Sequence, residues 1–207
     1  MEAETQILTA NWSGGASPFA MGSKKLGMWL FVISDALTFS SLLIVYSYLR
    51  LATPSWPRPF PFYPAIVFSS LMTFCLLTSS LTMVMAVRRM SAGDRSATVR
   101  WLLATMAGGA IFVALHLTEW RNLIHEGVTP RGNPWAEPLF GGTFFAITGL
   151  HMLHVIVGVL YLGVIAAGVG RGRFRAEDVE VSGLYWHFVD LVWMFVFPLV
   201  YLMSVTM

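Results

Sequence analysis

Apolar positions in this chain do not alternate with polar ones at a helical or strand period. They run almost unbroken for twenty or more residues and then give way to short polar stretches. A helix needs about 20 apolar residues to cross the hydrocarbon core of a bilayer. Five stretches reach that length: 26–49, 64–87, 101–120, 139–168 and 183–203. Lipid offers no partner to a free backbone group, so each stretch is predicted to be helical. The fourth is longer than a perpendicular crossing needs and predicts a tilted helix or an emergent end. Pro64 suits a first helical turn, where a missing N–H costs little, and Pro198 predicts a bend in the fifth span. Residues 51–63, LATPSWPRPFPFY, hold four prolines and predict an extended, stiff surface segment.

Composition agrees with that pattern. The 207 residues are 56% hydrophobic and 12% charged, where a soluble domain carries about 25% charged residues. The fold class expected is an all-α integral membrane protein. A segment 1–25 precedes a single transmembrane domain, 26–207. The first 25 residues contain no apolar run followed by a small-residue cleavage site, so no removable signal peptide is expected. Cys75 is the only cysteine and forms no internal disulfide. No tandem repeat and no glycine-rich phosphate loop is found.

Charge sets the orientation. The N-terminal segment and the loops 88–100 and 169–182 fall on one side of the membrane. That side holds Lys24, Lys25, Arg88, Arg89, Arg95, Arg100, Arg171, Arg173 and Arg175, against Arg50, Arg58, Arg121 and Arg131 on the other. Basic residues favour the cytoplasm, so the N-terminus is expected inside and the C-terminus outside.

The ionisable residues at membrane depth are the candidate functional positions, because such groups are costly in lipid and face protein or water. Asp35 is nine residues into the first span, roughly 13 Å deep at 1.5 Å per residue. Ser34, Thr38 and Ser41 recur beside it and suggest one polar, protein-facing stripe. In the fourth span His151 and His154 are three residues apart and share a face. Their depth matches that of Asp35, which predicts a hydrogen bond to Asp35, from His154 rather than His151. Gly142 and Ala146 permit close helix approach nearby. In the fifth span His187 and Asp190 form a local pair or meet a lipid headgroup. Glu119, beside His116 at the end of the third span, is expected to be neutralised by Arg121, while His125 and Glu126 are expected in water. Each of these groups has a structural reading, as a hydrogen-bonded helix tie, beside a proton-handling or lipid-associated one. The histidines invite haem, with His151 or His154 opposite His187. The inward carboxylates that a di-metal bundle site needs are lacking.

Several runs, in order, carry a resemblance: GMWLFVISDALTF, LLTSSLTMVMAVRRM, HLTEWRNLIHEGVTP, FFAITGLHMLHVIVGVLYL and LYWHFVDLVWMFVFPLVYL, from Gly27 to Leu202. The most specific pieces are G-x-H-x-x-H-V-x-x-G, from Gly149 to Gly158, and W-H-F-x-D-x-V-W, from Trp186 to Trp193. Together they resemble subunit III of the haem-copper terminal oxidases in its five-helix bacterial form. The resemblance implies a non-catalytic subunit of the bacterial inner membrane without haem, copper or other metal of its own, those cofactors lying in partner subunits. It implies packing on the haem-bearing subunit I and a 2 + 3 arrangement, the first two helices split from the last three by a lipid-filled cleft with bound phospholipid. It further implies support of proton uptake and of turnover lifetime in a complex that reduces oxygen to water and pumps protons. A respiratory supercomplex is a further partner compatible with it.

The family's cytochrome c oxidases usually carry glutamate where this chain has Asp35. His116 stands where glutamine is common, and Thr118 where tyrosine is. The Ser34–Asp35 pair is similar to quinol oxidases, and the run Leu123–Gly127 to cytochrome c oxidases, so cytochrome c is favoured as electron donor. Accessory subunits of nitric oxide reductase are also similar. A small transporter using intramembrane Asp and His, and a membrane cytochrome, are the competing classes. A transporter would normally show an inverted repeat, and none is apparent.

Overall fold

The computed structural model describes residues 22–135 and 137–205. Residues 1–21 of the expected N-terminal segment lie outside them. Five helices long and apolar enough to cross a membrane are present among the described residues. They are α1 Ser23–Ala52, α2 Val67–Ser91, α3 Arg95–His125, α4 Pro138–Gly170 and α5 Ala176–Val196. A π-helical turn, Phe62–Ile66, leads into α2, and the turns Phe197–Tyr201 and Leu202–Ser204 continue α5. Both Pro64 and Pro198 fall in these π-helical turns, where a ring without an N–H interrupts the regular ladder.

With the turns that lead into α2 and continue α5 included, each helical span outruns the apolar stretch that predicts it, because helical ends are set by caps rather than by hydropathy. Asp94 accepts a hydrogen bond from the Ala97 amide at 2.9 Å and starts α3 six residues before its apolar run. Asp178 accepts from the Arg175 amide at 2.8 Å at the start of α5. Gly93, Gly127 and Gly172 follow the ends of α2, α3 and α4 with φ of 80°, 88° and 72°, the left-handed conformation that closes a helix without a Cβ penalty.

The helices α2, α3, α4 and α5 form a ring in which each packs on the next, and α5 returns to α2. α1 lies outside the ring against α4 and α5. The 2 + 3 division implied by the resemblance is therefore not the division these contacts make. α2 belongs with the later helices, and α1 stands apart. The physical reason is in α2. Its residues Ser69, Met72, Leu76, Ser79, Met83 and Ala86 recur at helical spacing and are buried. These include small side chains that let neighbouring backbones approach. A Cβ on Gly108 of α3 would fall 2.6 Å from Ser79 Cβ, which leaves room there only for glycine. α1, by contrast, buries only Phe39 and Tyr46.

The proline-rich connection is not the extended surface segment its composition suggests. Trp56 and Phe60 turn inward and are buried. Trp56 meets Tyr46 and Phe140 edge-on at 5.5 and 5.7 Å, and Phe60 stacks on Tyr201 at 4.9 Å. The Phe60 amide also donates to the Ser204 carbonyl at 3.4 Å. Prolines fix the local backbone, but two aromatic side chains decide where the segment goes, and burial of their area outweighs exposure.

Candidate functional site

α2 supplies a ladder of hydroxyls that fixes the aromatic and ionisable side chains of its neighbours. Ser79 Oγ accepts from the Trp186 indole at 3.1 Å, and Thr73 Oγ1 from the Trp193 indole at 2.9 Å. Ser69 Oγ donates to Glu119 Oε1 at 2.8 Å. Ser80 Oγ lies 2.6 Å from His187 Nδ1. These hydroxyls follow helical spacing inside an apolar run. Serine and threonine recurring on one side of an otherwise apolar span are the signal in the sequence for this polar face.

Glu119 is buried rather than near water. Its second oxygen accepts from Tyr201 Oη at 2.6 Å, and His116 Nδ1 is 3.7 Å away. Arg121 is exposed and is not its partner. Residues two apart on a helix point to opposite sides, so the neutralisation expected from Arg121 is replaced by two hydroxyl donors. His125 and Glu126 are exposed, as expected.

The two histidines of α4 separate in role. His151 is fully buried, stacked on Trp193 at 4.9 Å and edge-on to Phe112 at 5.7 Å. His116, also fully buried, stacks on Phe112 at 5.6 Å. Among the described residues, neither His116 nor His151 has a hydrogen-bond partner at either ring nitrogen. They sit in an aromatic box built by α3, α4 and α5. His154 turns toward α1 instead.

Asp35 and His154 meet across α1 and α4, with Asp35 Oδ2 3.3 Å from His154 Nε2 and both side chains largely buried. The approach is at ion-pair range, and Oδ2 makes no aligned hydrogen bond among the described residues. His154 Nδ1 lies 2.8 Å from the Leu150 carbonyl oxygen. A carbonyl only accepts, so Nδ1 carries a hydrogen. In the neutral ring Nε2 is then a bare lone pair. Attraction to Asp35 requires one proton between the two groups, on the acid or on the ring. Phe39 packs edge-on at 5.3 Å to His154, and Tyr185 Oη donates to the His154 carbonyl at 3.0 Å.

The Ser34, Thr38 and Ser41 stripe does not join this pair. Those residues are exposed on the outer side of α1, and their hydroxyls return to the carbonyls of Phe31, Ser34 and Leu37. The hydroxyl face is about 100° around the helix from Asp35 at 3.6 residues per turn. His187 and Asp190 do not form the direct pair that their spacing suggests. His187 is held by Ser80, and the buried Asp190 reaches the same serine. Among the described residues, no group of three or more His, Cys, Asp and Glu is placed to hold a metal ion.

The sequence profile of cytochrome c oxidase subunit III matches residues 5–205. The chain belongs to that family. It is 34% identical over 186 residues to cytochrome c oxidase subunit 3 of Bacillus sp. (strain PS3), covering 88% of this chain and 86% of the relative. It is 32% identical to the cytochrome bo(3) ubiquinol oxidase subunit 3 of Pseudomonas putida, over 87% of this chain and 86% of the relative. Quinol oxidase subunit 3 of Bacillus subtilis (strain 168) is likewise 32% identical, over 86% of each. The family consists of subunits of haem-copper oxidases, which are oxidoreductases, and it has no cofactor of its own, the haem and copper lying in other subunits. Five apolar helices and bacterial relatives make this a bacterial membrane protein.

Proposed function

We propose that the chain is the non-catalytic subunit III of a respiratory terminal oxidase that reduces oxygen to water and pumps protons. It forms one transmembrane domain, packs on the haem-bearing subunit I, and supports proton uptake and turnover lifetime there. The observation that carries this reading is the Asp35–His154 contact across α1 and α4, two ionisable side chains set against each other within helices long and apolar enough to cross a membrane. The excess of basic residues beside the N-terminal end of α1 supports a cytoplasmic N-terminus. An apolar groove of about 340 Å³ between α1 and α5, lined by Ala36, Phe39, Leu43, Phe188, Val192 and Phe195, supports association with phospholipid acyl chains.

Purification in mild detergent tests the assignment. The chain is expected to bring with it subunits that show haem absorption and oxygen reduction, and to be colourless once separated from them. A chain that purifies alone and moves a solute across vesicles would instead be a transporter. Cytochrome c is the donor proposed, on the run Leu123–Gly127. Oxygen consumption by the complex with reduced cytochrome c, and none with a quinol, is the expected result. Proton uptake and inactivation rate are then compared between the wild type and Asp35→Asn. Faster inactivation and slower uptake in the variant are expected, and unchanged values would leave Asp35 a purely structural part.

A further inference from the structure

The turn between α2 and α3 carries a basic groove that the oxidase reading leaves unused. It has a volume of about 420 Å³ and is lined by Arg89, from the last turn of α2, and by Asp94, Ala97, Arg100, Trp101 and Ala104. Both arginines are exposed. The four ion pairs among the described residues join Lys24 to Asp178, Lys25 to Glu180, His116 to Glu119 and His154 to Asp35, and none involves an arginine. The one carboxylate in the groove, Asp94, turns an oxygen to the Ala97 amide at 2.9 Å. Arg88 and Arg95 flank the groove, and Arg95 lies against Gly172, which brings the α4–α5 turn with Arg171 and Arg173 to the same end of the bundle.

Depth matters as much as charge. Arg100 lies five residues into α3, about 8 Å along the axis at 1.5 Å per residue. That is headgroup depth below the turn. Trp101 follows it, half-buried, an indole suited to the membrane–water boundary. Beyond it the surface of α3 is apolar, with Leu103 and Ala104 exposed. The groove therefore runs from guanidinium groups without an ion-pair partner among the described residues to a smooth apolar flank. A guanidinium presents paired N–H donors that match the oxygens of a phosphate.

We propose that this groove binds the headgroup of an anionic phospholipid, with the phosphate between Arg89 and Arg100 and an acyl chain along Leu103 and Ala104. The inference rests on the chain spanning a membrane, not on its place in an oxidase. An anionic headgroup is favoured over a zwitterionic one because the latter carries a cation of its own toward the same arginines.

The test uses the full chain, with whatever subunits accompany it in mild detergent, titrated in native mass spectrometry with phosphatidylglycerol and phosphatidylcholine of equal chain length. Phosphatidylglycerol is expected to bind at least about tenfold more tightly, the effect of two basic residues at a membrane surface. R89Q/R100Q is expected to remove that preference with the melting temperature unchanged, while R171Q/R173Q keeps it. Millimolar inorganic phosphate is expected not to displace the lipid. Equal affinities in the wild type, a preference that survives R89Q/R100Q, or displacement by phosphate alone would each overturn the proposal. Should R89Q/R100Q fail to fold, R89K/R100K serves in its place. The lysines keep the charge but lose the paired donors, so a clearly weakened preference is expected, and a preference equal to the wild type's in a folded R89K/R100K chain would overturn the proposal.

Discussion

Asp35 Oδ2 on α1 and His154 Nε2 on α4 lie 3.3 Å apart, while the other nitrogen of the ring is committed to the Leu150 carbonyl. The commitment fixes what each replacement of Asp35 does. An asparagine at position 35 presents an N–H to the bare Nε2, so it keeps the tie between the two helices and removes the exchangeable acid. An alanine removes both. Asp35→Ala is expected to destabilise the chain by about 1–2 kcal/mol, and Asp35→Asn by less than about 1 kcal/mol, in proportion to a partly buried polar contact. Thermal unfolding in detergent measures the order. Equal losses for the two variants would show that asparagine does not keep the tie, and no loss in Asp35→Ala would show that the contact contributes nothing to docking α1.

Glu119 offers a sharper test, because both its oxygens are bonded and the group is buried. Tyr201→Phe leaves one carboxyl oxygen without a donor and is expected to cost about 1–3 kcal/mol. Glu119→Gln is expected to cost less. The amide can donate where the acid accepts, and the Tyr201 hydroxyl can rotate to receive it. A double-mutant cycle with Ser69→Ala then reports whether the two hydroxyls act independently. Coupling near zero is expected if they bond separate oxygens.

The five spans are legible in the sequence because lipid imposes length and apolarity on every crossing. Asp35 and His154 are legible as partners because their depths match. The helix ends are less so. α3 runs from Arg95 to His125, beyond the 101–120 stretch, because Asp94 and Gly127 cap it in the polar margin where hydropathy is silent. The partners of Glu119 are not legible from its neighbourhood. Tyr201 is 82 residues away and Ser69 is 50, and both sit in runs that read as apolar. The grouping of the helices escapes for a similar reason. α2 and α1 have comparable hydropathy, and only the buried stripe of small and hydroxyl residues on α2 places it within the ring.

Close packing at Trp186 makes a further prediction. A Cβ on Gly109 would fall 2.5 Å from Trp186 Cη2, and one on Gly158 would fall 3.0 Å from Trp186 Cζ3. The indole is fixed at its other end by Ser79 and has no room to withdraw. Gly109→Ala is expected to destabilise by about 1–3 kcal/mol through overpacking. Gly163→Ala meets only the flexible Met106 side chain, at 3.3 Å, and is expected to be neutral within about 0.5 kcal/mol. Melting temperatures of the two variants, measured side by side, check the contrast, since both remove the same glycine freedom from the unfolded chain.

The proline-rich connection supplies the last prediction. Its path is held by Trp56 and Phe60, packed against Tyr46, Phe140, Tyr201 and Phe144, and by the Phe60 amide bonded to Ser204. Prolines alone would leave it extended over the surface with that amide in water. Phe60→Ala removes a stacked ring from the end of the bundle and is expected to expose the segment locally without unfolding the five helices. Removal of a buried Phe side chain costs about 3–5 kcal/mol in a core. A loss at the low end is expected here, because the segment can swing into solvent instead of leaving a void. Hydrogen exchange separates the two possibilities. The amide of residue 60 is expected to exchange much faster in the variant, while amides within α2 and α5 keep their wild-type protection. Faster exchange throughout α5 would mean that the aromatic stack anchors the bundle itself rather than the segment lying on it.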